Sequence, residues 1–293
     1  MDWIAKIFGY ILEFIYGYVG NFGIAIIIFT LLLKIIMIPM NYKQQKTMKK
    51  TAEIQKKVQE IQIKYAKDQE RMNTEILELY KREKTSPCSG CFSSIIQMVI
   101  IISVFMVVSK PLTYINKLDA ETINNYASEV KTELNLAENE ALNYPEIAII
   151  KAKSATNEDV KINMEFLGLD LSDIPSKNKS NWTVYILPVL YVITSVASMK
   201  ITTNLTNPND KEDKVKKLDN SEKDAEKKDE NKNEEQEAIN AMNKNMTYMM
   251  PIMSIMITMI APLGLSLYWL LSNVLMIVEK VFVNFVLDKK EEK

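Results

Sequence analysis

The sequence contains no histidine and only two cysteines among its 293 residues. Histidine is the commonest general base near neutral pH and the commonest metal ligand, so its absence argues against acid–base catalysis and histidine-based metal binding. Cys88 and Cys91 form a C-x-x-C pair, but a structural zinc site needs four ligands. We therefore expect no catalytic residue, no metal and no cofactor, and we interpret the two cysteines as structural or incidental thiols.

The first twenty residues do not have the pattern of a secretory signal, because charged residues interrupt any apolar core. Apolar residues recur there at helical spacing, at Ile4, Ile7, Phe8, Ile11, Ile15 and Tyr18, opposite a stripe of Asp2, Lys6, Gly9, Glu13 and Gly17. This pattern predicts an amphipathic helix over residues 1–20 that lies flat in the membrane–water interface on the outer face, with Trp3 as an anchor. The alternative is that this helix extends the first membrane span.

Long apolar runs alternate with charged segments, so the mean hydropathy is close to zero although 47% of the residues are hydrophobic. A membrane-spanning helix needs about 20 apolar residues. The runs predict an all-α polytopic membrane protein with spans at residues 21–40, 92–109, 182–199, 246–260 and 265–287. The second and fourth runs are too short to cross the bilayer without residues from their flanks. Residues 261–264 are expected to form a tight turn on the outer side.

The distribution of charge predicts the orientation of the spans. Residues 41–91 carry 12 Lys or Arg and 7 Asp or Glu, whereas residues 110–181 carry 8 and 12. Positive residues close to the spans mark cytoplasmic loops. We therefore place residues 41–91 and the tail 288–293 in the cytoplasm, and the N-terminus and residues 110–181 outside.

The segments between the spans have different characters. Residues 41–91 contain two apolar stripes separated at Asp68, a candidate N-cap, and so predict a cytoplasmic helical hairpin. Residues 110–181 predict an extracytoplasmic cap with a helical pattern over 120–136 and otherwise little regular structure. Residues 200–245 are dominated by Lys, Asp, Glu and Asn, and such a composition predicts a disordered cytoplasmic loop.

Lys34 is the only charged residue in the run from Ile24 to Ile38. An isolated charge in a spanning helix costs at least about 2.5 kcal/mol by insertion scales, which makes this lysine a functional candidate. It lies roughly 9 Å from the end of the run at Met40, at a rise of about 1.5 Å per residue. A side chain that snorkels to the interface is therefore the alternative explanation.

Several stretches occur in a specific order, spacing and sidedness. They are Gly23 to Lys34 with Pro39; Tyr65, Asp68, Leu79 to Lys81, Pro87 to Cys91 and Gln97; Tyr185 to Pro188; and Pro262 to Trp269 with Ser272 and Asn273. Together they resemble the YidC/Oxa family of membrane protein insertases in its five-span bacterial form. The resemblance covers residues 21–109 and 182–287.

The resemblance implies five helices around a hydrophilic groove that opens to the cytoplasm and to lipid and is closed on the outer side. It places the functional charge of the first span at Lys34, with Thr30 one turn earlier, and it places Tyr268 and Trp269 in the last span. The implied partners are nascent membrane proteins, membrane lipids and, through the hairpin, the ribosome, the targeting machinery or the Sec translocon. We expect no nucleic-acid specificity and a functional monomer.

The chain also departs from the family pattern. The usual arginine is Lys34, which cannot grip a carboxylate in a bidentate way. A common glutamine of the third span is absent, and Thr194, Ser195 and Ser198 are candidates to supply that polarity. A usual glutamine of the last span is Glu279, a second intramembrane charge that is a candidate partner for Lys34.

The second and fourth spans carry the residues along which we expect an apolar substrate segment to slide: Ile95, Met98, Ile102, Met253 and Met256. Methionine is flexible and adapts to varied partners, and ordinary helix packing is the alternative explanation for this pattern. The main rival function is a small-molecule transporter or channel with an intramembrane lysine. Transporters commonly contain internal repeats, and none is evident in this sequence.

Overall fold

The computed structural model describes residues 2–66, 68–85, 91–136, 142–178, 180–206, 253 and 256–291. The chain divides into a first unit of residues 1–37, 96–195 and 253–276 and a second unit of residues 38–95, 196–252 and 277–293. The helices are α1 Asp2–Val19, α2 Phe22–Lys64, α3 Gln69–Arg82, α4 Cys91–Ser109, α5 Pro111–Tyr114, α6 Ala120–Glu133, α7 Pro145–Lys153, α8 Ile186–Thr206 and α9 Leu263–Glu291. Two short 3₁₀ helices, Glu158–Val160 and Trp182–Tyr185, and the strands β1 Glu165–Phe166 and β2 Leu169–Asp170 complete the described elements.

Three helices among the described residues are long and apolar enough to cross a membrane: Phe22–Lys64, Trp182–Ile201 and Leu263–Val283. A shorter apolar helix covers Ile95–Ser109. Most of the predicted fourth span lies outside the described residues, which include only Met253 and the helical residues 256–260. The predicted disordered loop begins too early, because α8 continues through residues 200–206 to Thr206. The rest of that predicted loop lies outside the described residues.

A break at Gly20 separates α1 from α2. Gly20 adopts the left-handed conformation with φ of 61°, and its N–H donates to the Tyr16 carbonyl at 2.7 Å, as glycine commonly does after a helix. The Asn21 side chain then accepts from the Ile24 N–H at 3.1 Å and caps the first turn of α2. The helix α1 is therefore separate from the first span and does not extend it.

The buried face of α1 differs from the predicted stripe. Gly9 is buried, and a Cβ atom there would lie 2.5 Å from Cδ1 of Tyr114 on α5. Assigning Gly9 to the polar stripe was therefore wrong, because the missing side chain is what lets the two helices approach. Lys117 adds an ion pair to Glu13 at 2.7 Å. The outward face carries the exposed apolar side chains Trp3, Ile7, Tyr10, Phe14 and Tyr18.

The cap of the first unit is more regular than the sequence predicts. Asp119 caps α6 by accepting from the Thr122 N–H at 3.2 Å, and this bonding with Thr122 lowers the pKa of its carboxyl group. Lys153 at the end of α7 bridges Glu129 at 2.7 Å and Glu133 at 3.2 Å on α6. These long-range ion pairs connect the two helices, and local sequence patterns do not reveal them.

The β-hairpin packs against the start of α2. Glu165 pairs with Asp170 and Phe166 with Leu169, and both turn residues, Leu167 and Gly168, have positive φ, as in a type I′ turn. A Cβ atom on Gly23 would lie 2.5 Å from the Phe166 ring. Gly23 therefore allows the hairpin to sit directly on the first helical turn of α2.

In the second unit, the C-terminal half of α2 and the helix α3 form a helical hairpin. Ile54, Val58 and Leu79 make a small buried cluster, and Lys57 pairs with Glu83 at 2.6 Å. Asp68 caps α3 by accepting from the Arg71 N–H at 3.0 Å, in the position that the sequence predicts. The contact with Lys57 lowers the pKa of the Glu83 carboxyl group.

The packing of α1 generates the first prediction. Replacing Gly9 with alanine should lower the thermal unfolding temperature in detergent, because the new methyl group overlaps the Tyr114 ring. Gly17→Ala is the matched control. Apart from its chain neighbours and its own helix backbone, no described residue has an atom within 4 Å of the Gly17 Cβ position, and alanine favours a helix by about 1 kcal/mol over glycine. Equal unfolding temperatures for the two variants would contradict this packing of α1 on α5.

Candidate functional site

The N-terminal part of α2 has one side in the protein and one side exposed. Phe22, Ala25, Ile26, Phe29 and Leu33 are buried in the core of the first unit. The exposed apolar residues are Ile24, Ile28, Leu31, Leu32, Ile35 and Ile36, which form the side of this helix suited to contact lipid. This part of α2 therefore has a buried side and an exposed side, although nearly all of its residues are apolar.

Phe22, Ile26, Thr30 and Lys34 follow one another at intervals of four along α2. Each interval turns the helix by about 40°, so the series moves gradually from the buried side toward the exposed side. Thr30 is buried, and its hydroxyl donates to the Ile26 carbonyl at 2.6 Å. Lys34 is half-buried and lies between buried Leu33 and exposed Ile35. The ammonium group thus belongs to a residue at the border of the two sides.

One candidate residue of α9 in the first unit, Trp269, contacts α8 through an aromatic pair with Tyr191, which the sequence analysis did not select. The Trp269 ring lies 6.1 Å from the Tyr191 ring between centroids, at an interplanar angle of 38°. Tyr268 is buried, and Ser272 one turn later is its side-chain hydrogen-bond partner. Thr194 is half-buried, and its hydroxyl donates to the Tyr191 carbonyl at 2.9 Å. Ser195 beside it is also half-buried.

Two further candidates lie in the second unit. Ser198 is buried on α8. Glu279 on α9 is half-buried, and its Oε1 atom is buried without a hydrogen-bond partner among the described residues. Lys34 belongs to the first unit and Glu279 to the second, so their pairing stays a prediction.

The predicted slide residues are mostly exposed. The side chains of Ile95, Met98, Met253 and Met256 are exposed, and Ile102 is half-buried. By contrast, Thr258 lies in the same helical segment as Met256 and is fully buried. This segment therefore has a protein-facing side and an exposed methionine side.

Sequence reasoning missed several polar residues. Ser103 is fully buried in α4 and donates to the Val99 carbonyl at 2.8 Å; a serine within an apolar run was the available signal. Glu146 in the cap is buried and accepts from the Thr113 N–H at 2.9 Å and from its hydroxyl at 2.6 Å. Burial raises the pKa of this carboxyl group. No local pattern connects residues so far apart in sequence.

Glu146 borders a cavity of about 690 Å³ in the cap. Its polar lining includes Lys110, Asn124 and Asn143, and its apolar lining includes Phe105 and Ile260. No predicted site residue lines this cavity. Within the described part of the chain, no cluster of His, Cys, Asp or Glu residues has a composition suited to hold a metal ion.

Long apolar helices, lipid-suited faces and a half-buried lysine define a multi-pass α-helical membrane protein. The sequence profile described as "60Kd inner membrane protein" matches residues 14–290, which is most of the chain. The protein therefore belongs to this family, the YidC/Oxa family, and is a multi-pass protein of the bacterial membrane.

Curated relatives are named membrane protein insertase YidC. The chain is 41% identical over 105 residues to the one from Caldanaerobacter subterraneus subsp. tengcongensis, covering 36% of this chain and 51% of the relative. It is 38% identical over 104 residues to the one from Rickettsia massiliae, covering 36% and 19%. The match to the one from Oleidesulfovibrio alaskensis is 40% over 94 residues, covering 32% and 18%. The matches thus span about half of the first relative and less than a fifth of the other two.

The Glu279 oxygen that has no hydrogen-bond partner among the described residues generates a second prediction. Glu279→Gln should raise the unfolding temperature by about 2–4 °C, the shift that a gain of about 1 kcal/mol produces in domains of about 150–250 residues. A neutral amide costs less to bury than a carboxylate. Glu78→Gln, at an exposed position of α3, is the control and should leave the temperature unchanged. A lower temperature for Glu279→Gln would mean that the carboxylate is favourably paired.

Proposed function

We propose that this protein is a membrane protein insertase that inserts newly made membrane proteins and assists their folding. The names of its relatives support insertion over the rival function of small-molecule transport. The observation that carries the proposal is the position of Lys34 on α2. It stands at the border between the buried and the lipid-suited sides of the first span, one turn beyond Thr30.

The proposal includes five spans around a hydrophilic groove, with the N-terminus outside and the C-terminus in the cytoplasm. The groove would be polar at Thr30, Lys34, Thr194, Ser195 and Ser198, with Tyr268, Trp269 and Glu279 contributed by the last span. Three described helices that are long and apolar enough to cross a membrane, together with the shorter apolar helix Ile95–Ser109, support this proposal, and the helical residues 256–260 fall within the predicted fourth run.

In the proposed mechanism, Lys34 attracts acidic residues of a short hydrophilic tail that precedes or follows an apolar substrate segment. Moving polar groups from water into hydrocarbon is costly, and a hydrated groove lowers that cost over part of the path. The half-buried state of Lys34 suits this role, because its side chain is neither sealed in the core nor fully exposed. Hydrophobic transfer and the membrane potential then supply the driving force.

The helical hairpin of the second unit is the proposed contact for the ribosome, the targeting machinery or the Sec translocon. Its two arms are fastened by the Lys57–Glu83 ion pair and by a bond from the Lys50 ammonium to the Glu83 carbonyl at 2.9 Å. Exposed apolar side chains such as Ile63 and Leu77 remain on its surface. A fastened hairpin with apolar surface residues is a suitable docking element.

The role of Lys34 is tested by comparing Lys34→Ala with Lys34→Arg in a depletion–complementation assay. We expect the alanine variant to insert an acidic-tailed substrate about fivefold to tenfold more slowly, since opposite charges about 4 Å apart attract by roughly 1 kcal/mol even in bulk water. Arginine should retain the activity because it keeps the charge. Lys6→Ala, at an exposed position on α1, is the control. Full activity of Lys34→Ala would refute a functional charge at this position.

The proposed slide is tested with photo-cross-linkers at Met253 and Met256, whose side chains are exposed. They should capture the apolar segment of a ribosome-stalled substrate, because this face is proposed to guide it into lipid. A cross-linker at Thr258, which is buried, should capture little. Equal capture at all three positions, or capture at none, would remove the slide from the mechanism.

A further inference from the structure

A segment of the cap, residues 163–176, is bonded through its main chain to the ends of two membrane helices; we name it the cap strap. The Phe22 N–H of α2 donates to the Asn163 carbonyl at 3.0 Å. At the start of α9, the Leu263 and Gly264 N–H groups each donate at 2.9 Å, to the carbonyls of Asp173 and Leu171 respectively. The cap strap therefore holds α2 and α9 at their cap ends.

These bonds satisfy groups that the helices cannot satisfy themselves. The first N–H groups of an α-helix have no partner within the helix, and hydrocarbon offers none. A fourth bond joins the Ser176 N–H to the Met259 carbonyl at 3.0 Å, at the end of the helical segment 256–260. The cap strap thus spans the turn before α9 as well as the start of α2.

Gly264 is the point where the cap strap, α2 and α9 meet. The Cβ position of Gly264 lies 3.5 Å from Cε1 of Phe22, 3.6 Å from the Leu171 carbonyl oxygen and 3.8 Å from Cδ1 of Ile26. Phe22, Ile26, Leu171 and Leu263 are almost fully buried. These four almost fully buried apolar residues lie against the cap strap, and we name them the plug.

The shape of the cap strap is held by two carboxylates. Asp173 is buried; it pairs with the Lys151 ammonium and accepts from the Asn178 amide at 3.3 Å. Asp170 accepts from the Ser172 N–H at 2.9 Å and from its hydroxyl at 2.6 Å. These contacts orient the carbonyls that receive the helix N–H groups.

The plug lies on the same series of α2 residues as the proposed groove. Phe22 and Ile26 precede Thr30 and Lys34 at intervals of four, so the apolar and polar parts of this series are continuous. From Thr30 to Phe22 the helix rises by about 12 Å, less than half of a hydrocarbon core about 30 Å thick. A tail that reaches Thr30 through a hydrated groove would still have to pass this dry layer.

We propose that the plug and the cap strap determine substrate specificity: they set how many charged or polar residues a translocated tail can contain. This inference rests on the proposed insertase function. Each polar residue of the tail must shed water to pass the dry layer, and the cap strap keeps that layer closed. Loosening the junction at Gly264 admits water, lowers the desolvation cost and so widens the range of accepted tails.

The test compares Gly264→Leu with Gly264→Ala. A methyl group fits the observed distances of 3.5–3.8 Å, whereas a leucine side chain must displace Phe22, Ile26 or Leu171. Ile26→Cys, in a background with Cys88→Ser and Cys91→Ser, reports on the plug through a membrane-impermeant maleimide added from the outer side of oriented vesicles. We expect labelling with leucine at position 264, and none with glycine or alanine there.

The functional readout is the insertion of one substrate with a tail of one, three or five acidic residues. With leucine at position 264, insertion of the five-acid tail relative to the one-acid tail should rise by about tenfold, the effect of reducing a polar transfer cost. Alanine should leave this ratio unchanged. An unlabelled thiol at position 26 in the folded leucine variant, or labelling without a change in the ratio, would overturn the inference.

Asp173→Asn provides a second variant that loosens the cap strap without adding bulk, because it removes the charge that pairs with Lys151. It should move both readouts in the same direction as Gly264→Leu, and unchanged readouts would count against the cap strap.

A Lys34→Cys reporter labelled from the cytoplasmic side tests the groove separately. If the thiol at position 34 is unreactive, the proposed function fails; if it reacts and the Gly264 and Asp173 variants behave as the parent, only the specificity inference fails.

Discussion

Backbone hydrogen bonding at the helix ends is the constraint on which this structure depends. Within hydrocarbon every N–H and carbonyl group needs a partner inside the protein, and the first turn of a helix has N–H groups without one. The chain meets this need for α2 and α9 with carbonyls from residues 163, 171 and 173. The cap is therefore part of the membrane domain's bonding, and its strap fixes where two spanning helices begin.

The sequence predicts the membrane helices well because their signal is local. A run of apolar residues long enough to cross the bilayer must be a helix, and α2, α8 and α9 lie where the runs lie. The Asp68 cap of α3 is equally local, since a side chain bonds an N–H group three residues later. By contrast, the cap strap depends on bonds between residues more than eighty positions apart, which no periodicity reports.

Some residues of the candidate site are likewise evident from local sequence, and others are not. Lys34 is found from sequence because a charge in an apolar run is conspicuous, and its half-buried state follows from the 40° drift of the series that contains it, by about 3.6 residues per turn. The partner ring of Trp269 was not found, because Tyr191 is one aromatic residue among many. Gly9 and Gly264 were also overlooked as packing residues, since a glycine contributes nothing to an apolar pattern and matters through the atoms it omits.

The helix α2 thus has both buried apolar residues and a charged residue along one series of residues at intervals of four. At Phe22 and Ile26 the series is almost fully buried and apolar, which gives a tight apolar layer at little cost because both side chains gain from burial. At Lys34 it holds a charge that would cost at least about 2.5 kcal/mol if it faced lipid alone. Thr30 lies between them, and its hydroxyl donates a hydrogen bond to the Ile26 carbonyl. The series therefore changes from buried and apolar at Ile26 to charged at Lys34 over eight residues, about 12 Å of helix. A barrier this short is compatible with moving a tail across without chemical energy, provided that water reaches the lysine from one side.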